Sequence, residues 1–217
     1  MTISIYVLIM EKSIKLVFHN QGLRSYIELD LCSACPRQDC KGCCGFYSPV
    51  FYPTDLAFIY MHRPELLDFI FTQQYVTVLD TSITINSRLD PDSSGYLCSF
   101  HTKESGCILP QFLREPICRI FVCPGVNWQQ EPELKNWRVF FEKLFNYEMK
   151  INEQLSAALL SKGLSLRQHN QRDDFFAHLL PLYQEAIREK PAFFTGVPEQ
   201  KTIIIKRMLS YKSDWII

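Results

Sequence analysis

Over the first thirty positions, apolar runs are broken by short polar stretches. TISIYVLI and SIKLVFH read as two strands, with a loop at HNQG. Pro53-Thr54-Asp55 then opens a helix that LAFIYM carries forward, with Thr54 as its N-cap. Pro64 interrupts it, because proline has no N–H to donate and its ring clashes one turn back. The same residue can start a second helix, PELLDFIFTQQ. YVTVLDTSITI is rich in β-branched residues and reads as two strands about Asp80-Thr81. RLDPDSSG is a loop full of turn formers.

Beyond residue 131 the period becomes helical. Leu134, Trp137, Phe141, Leu144, Leu155 and Leu159 keep near-helical spacing across 132–162. Glu148 falls on the same stripe, and Phe145 and Met149 are expected to cover that gap. Gly163 fits the stop. A second helix starts at Asp173-Asp174, whose charges suit a helix N-terminus, and carries Phe176, Leu179, Leu180, Tyr183 and Ile187. Pro181 is expected to kink or split it. EQKTIIIKRMLSYK fits helix and strand equally. There is no internal repeat and no low-complexity segment.

A chain of 217 residues is long enough to bury a core without covalent staples. With 47% apolar residues, sixteen Phe and ten Tyr, it reads as globular. Twenty-three basic residues balance twenty-three acidic ones, so charge gives no case for nucleic acid or an anionic membrane as main partner. The N-terminal run TISIYVLIM is too short to span a bilayer and lacks the flanks of a signal peptide. Met10 is an alternative start. These features place the protein in the cytoplasm.

The cysteines then take over the picture. All nine lie between positions 32 and 123. The first cluster, C-x2-C-x4-C-x2-C-C, is Cys32, Cys35, Cys40, Cys43 and Cys44; the second, C-x8-C-x10-C-x4-C, is Cys98, Cys107, Cys118 and Cys123. A reducing cytosol disfavours structural disulfides, and the count is odd. A C-x2-C turn brings two sulfurs to one side, and two such pairs can supply a tetrahedral sulfur site for zinc or an iron–sulfur cluster. Cys43 and Cys44 are adjacent, so either they serve different metals or one ligates and the other packs. Gly42 and Gly45 relax the backbone around that pair. Arg37, Lys41, Arg114 and Arg119 lie within the cysteine segments, either offsetting thiolate charge or sitting in solvent. His101, three residues after Cys98, is the one histidine placed to join a thiolate site; the cysteines already suffice, so a surface role is expected. No nucleophile elbow, H-E-x-x-H motif, phosphate loop or G-x-G-x-x-G loop is present.

These residues resemble the YkgJ-type cysteine-cluster family, known by its CxxCxxCC motif as a zinc- or iron-chelating domain. The resemblance rests on Cys40, Cys43 and Cys44, then Tyr52-Pro53-Thr54-Asp55-Leu56. It continues with Cys98-Ser99-Phe100, Cys107-Ile108, and the run from Arg114 through Pro116, Cys118, Arg119 and Phe121 to Cys123. It spans roughly residues 30–125. Arg37 stands where the family has its first cysteine, Glu115 separates Arg114 from Pro116, and Val122 replaces a common proline. The resemblance implies a cytoplasmic domain holding zinc or an iron–sulfur cluster, the latter of the [4Fe–4S] type. Flagellin lysine N-methylases carry a similar cysteine domain, which implies an iron–sulfur-dependent enzyme acting on a protein substrate as the alternative.

The expected fold is α+β: a small irregular cysteine-rich metal-binding core with short strands, covered by C-terminal helices. Residues 1–130 form the cysteine domain with its N-terminal strands, and 131–217 a helical region packed on it. The nine cysteines are the expected metal ligands.

Overall fold

The computed structural model of the chain describes residues 9–31, 44, 47–89, 96–102 and 106–210. It is α+β, with every strand pair antiparallel. β1 (Ile9–His19) is a single strand that runs through Met10-Glu11-Lys12, where the sequence pattern placed a break. The reason is tertiary: β10 (Gln200–Ser210) pairs with β1 along its whole length, from Ile9 opposite Ser210 to His19 opposite Gln200. The ladder gives the polar residues partners, Glu11 opposite Met208 and Lys12 opposite Arg207. The rest of TISIYVLI lies outside the described residues.

The ambiguous EQKTIIIKRMLSYK is therefore a strand from Gln200 to Ser210, in keeping with its three consecutive isoleucines. Ile203, Ile205 and Leu209 are buried, while Ile204 and Met208 face out. The C-terminal region thus contributes a strand to the N-terminal sheet as well as helices. β2 (Tyr26–Leu29) takes the other side of β1, giving the order β10-β1-β2. Gly22, at φ +62, makes the turn between β1 and β2 in a backbone region that other residues avoid.

Three short strands form a second sheet in the order β3 (Val50–Phe51), β5 (Ile83–Ile85), β4 (Val76–Val78). The two strands expected about Asp80-Thr81 are β4 and β5. β6 (Ser87–Leu89) pairs with β7 (Tyr96–Cys98), and β8 (His101–Thr102) with β9 (Gly106–Cys107). Arg88 and Leu89, expected in a loop, belong to β6; the remainder of that loop up to residue 95 is not among the described residues.

Among the described residues, the α-helices with defined bounds are α1 (Pro53–His62), α2 (Pro64–Thr72), α3 (Pro116–Ile120), α4 (Lys135–Ser161) and α5 (Arg172–Ala186). Pro64 separates α1 from α2 as its missing N–H demands. The N-cap of α1 is Tyr52, not Thr54. Thr54 sits inside the helix, fully buried, where its polar atoms bond to α4. α5 runs unbroken through Pro181. That residue is on the exposed side, as is Ala177 one turn back, so water can satisfy the carbonyl that proline leaves unpaired.

α1, α4 and α5 pack on one another. Ile14, Leu16 and Phe18 of β1 enter the core. Phe18 meets Trp128 edge-on at 5.1 Å and Trp137 at 5.3 Å. Glu148 stays on the buried stripe of α4, whereas Phe145, expected to cover it, is exposed. Among the described residues, no helix is long and apolar enough to cross a membrane.

Candidate functional site

Four charged side chains lie buried between the N-terminal sheet and the helices. Arg119 donates through Nη2 to both oxygens of Glu148, at 2.6 and 2.7 Å. Its Nε donates to the Arg114 carbonyl, and its Nη1 to those of Leu23 and Ser25. Arg24 donates to Asp55 at 2.5 Å and to the carbonyls of Phe112 and Arg114. Asp55 in turn accepts from the Tyr52 backbone N–H, which fixes the start of α1. Thr54 joins the set from the same helix turn: its hydroxyl donates to Glu148 and its backbone N–H to Asn152. Glu148 and Asn152 are four residues apart on α4 and so share a face.

The electrostatics follow from burial. It works against the Arg119 charge, but Glu148 and Asp55 more than offset it and hold the pKa above the usual arginine value. Burial and the Arg119 charge pull the Arg24 pKa down, with Asp55 opposing. Burial pushes the Glu148 pKa up while Arg119 pulls it down. The two-bond geometry of Arg119 and Glu148 is that of an ion pair.

This brace holds the segment that carries the second cysteine cluster. Arg119 directly follows Cys118. Gln111 donates to the carbonyls of both Cys118 and Arg119. Glu115 caps α3, its carboxylate accepting from the backbone N–H groups of Ile117 (2.9 Å) and Cys118 (2.7 Å). The residue that separates Arg114 from Pro116 in the sequence is thus the cap that sets Cys118 in place.

Cys118 faces a cavity of about 430 Å³. Cys44, Cys98, Cys107 and Cys123 line it too, with His101 and Glu115. All five described cysteines therefore open onto one space, although they are spread over eighty residues of chain. The described lining residues run from Lys15 to Cys123, so α4 and α5 do not wall the cavity. Phe51, Phe100 and Leu109 give it an apolar side. Burial pushes the Cys98 thiol up to about 12, and the neighbouring Cys44 and Cys107 add to this. Burial likewise lifts Cys118 well above the ordinary thiol value, and raises Glu115 against the pull of the Cys118 thiol and the α3 N–H groups. The wall thus disfavours negative charge until a cation enters.

Among the described residues, no three His, Cys, Asp or Glu side chains stand close enough together to hold one ion. Cys32, Cys35, Cys40 and Cys43, with Arg37 and Lys41, lie outside the described residues. Cys43 precedes Cys44 by one peptide bond. Of the basic residues singled out in the sequence, Arg114 lines the cavity and donates to the Leu109 carbonyl. Arg119 is fully engaged in the buried brace and is neither a counter-charge on the wall nor a solvated residue. His101 is buried at 7% exposure and lines the cavity, which corrects the expected surface role.

Sequence reasoning missed Arg24, Asp55 and Glu148 as a set. The available signal was Glu148 itself, a charge on an apolar helical stripe. No protein-family model matches the chain, no curated protein matches it, and no solved structure matches it.

Proposed function

We propose that the protein binds metal through its clustered cysteines, as an iron–sulfur cluster or zinc, in the manner of the YkgJ-type proteins it resembles. The observation that carries this reading is the convergence of Cys44, Cys98, Cys107, Cys118 and Cys123 on one cavity. Cys44 also brings the end of the first cluster there, with Cys40 and Cys43 tethered to it within four residues. A metal requires its thiols deprotonated, and its binding free energy then supports the fold directly. Its chemistry here is to fasten the cysteine segments, with thiolate donors that suit zinc and iron alike. The cytoplasm, where thiols stay reduced, suits such a site.

The test is metal and acid-labile sulfide content, with a visible spectrum, on protein purified without oxygen. About four iron and four sulfide per chain, with colour bleached by reductant, identifies a [4Fe–4S] protein. Zinc without sulfide identifies a structural zinc domain. Protein that is folded and free of both metals overturns the reading.

The resemblance also carries a second reading, an iron–sulfur-dependent enzyme acting on a protein substrate, and the cavity offers it room. At about 430 Å³ it falls within the range of roughly 300–1,000 Å³ typical of ligand pockets. A metal site with an open position takes up an added anion such as azide, with a spectral change; a closed structural site does not respond.

A further inference from the structure

We propose that His101 supplies an imidazole ligand to the bound metal, paired with Cys107 across the β8–β9 hairpin. This rests on the metal-binding reading above. The argument begins with backbone register. His101 stands directly opposite Cys107, and Thr102 opposite Gly106. Gly106, at φ +78, takes a conformation that other residues avoid, and the Ile108 N–H bonds to the Phe100 carbonyl at 2.8 Å on the other side of the pair. The pairing is therefore held from both ends.

Directly opposed side chains in an antiparallel pair leave the sheet on the same face, with Cβ atoms about 4.5–5.5 Å apart. One zinc ion accepts a thiolate at about 2.3 Å and an imidazole nitrogen at about 2.0–2.1 Å, so such a pair can converge on it without moving the backbone. Both side chains line the cysteine cavity, as does Cys98. His101 lies three residues after Cys98, and its burial puts the ring in the wall and out of solvent.

Charge favours the mixed set. Imidazole is a neutral donor. Three thiolates and one imidazole leave a divalent ion with a single net negative charge, where four thiolates leave two. The wall sets Lys15 and Arg114 against Glu28, Asp30 and Glu115, with Phe51, Phe100 and Leu109 between, so it has no net positive charge to compensate the second.

The experiment is X-ray absorption at the K edge of whichever metal, zinc or iron, the full chain holds after anaerobic purification. Wild type is compared with His101→Asn and His101→Cys. The expected wild-type result is a nitrogen shell with imidazole scattering beside the sulfur shell. In His101→Asn that shell disappears and metal per chain falls several-fold. In His101→Cys metal content returns with sulfur ligands only. A sulfur-only wild-type spectrum overturns the proposal and leaves the metal-binding reading standing, and it does so even if the variants do not fold. A wild-type chain that holds neither metal removes both.

Discussion

Replacing Glu148 with glutamine keeps the side chain's shape and removes its charge. Arg119 is fully buried and makes its two shortest bonds to that carboxylate. Its remaining bonds go to neutral carbonyls of Leu23, Ser25 and Arg114. Breaking a buried ion pair by removing one partner costs about 3–5 kcal/mol. Asp55 also favours the Arg119 charge, and a glutamine carbonyl can still accept one bond. Both place the cost near the lower end, about 3 kcal/mol, or roughly a 6–12 °C fall in Tm for a chain of this size. The assay is thermal and urea unfolding by circular dichroism, with metal content matched between the two proteins. Arg119→Met serves as comparison and is expected to cost more, since it takes a donor from the Leu23, Ser25 and Arg114 carbonyls and leaves the buried Glu148 carboxylate with only the Thr54 hydroxyl. A Glu148→Gln protein within about 1 kcal/mol of wild type would refute the reasoning, because that is the scale of an exposed pair.

Burial raises Tyr183 from 10.0 to about 12, so its phenol is neutral in both states below pH 10 and its contribution is then fully present. As pH rises from 10 toward 12 the unfolded chain ionises first and on the order of 2–3 kcal/mol is lost; melts in this range should show a shallower alkaline decline for Tyr183→Phe than for wild type. Gly163 ends α4 at φ +72 with open space about its Cα, so Gly163→Ala is expected to cost about 1–2 kcal/mol through backbone strain alone, read as a lowered urea midpoint. Arg63 and Glu65 form an ion pair with both side chains more than half exposed, and Glu65→Gln is expected to leave Tm unchanged.

Elements whose signal is local were legible in the sequence. Pro64 divides α1 from α2, and the β-branched run about Asp80 gives β4 and β5. The α4 stripe and its Gly163 stop also stand where the pattern put them. What was not legible depends on partners far along the chain. Glu11 and Lys12 look like a break until β10 is laid beside them. Thr54 looks like a helix cap until Glu148 and Asn152 supply its bonds. The site divides in the same way. Cysteine spacing pointed to ligation, but only the fold brings Cys44 to the wall that Cys98 and Cys118 share. Glu115 looked like a departure from a motif and is a helix cap. Of the kink or split expected at Pro181 the split does not occur, and nothing local says which face of α5 is wet.

Ile9 and Ser210 are partners in one ladder, so the sheet cannot close before residue 210 is made. At a synthesis rate of about 5–20 residues per second, Cys123 is made roughly 4–17 s before residue 210. Throughout that interval all the thiols exist while β1 still lacks its long partner strand. Reactive groups are therefore on offer to the cell's metals, oxidants and chaperones at the moment when the chain has least means of shielding them. The yield of correctly folded protein should then follow conditions during translation more closely than those of the finished chain.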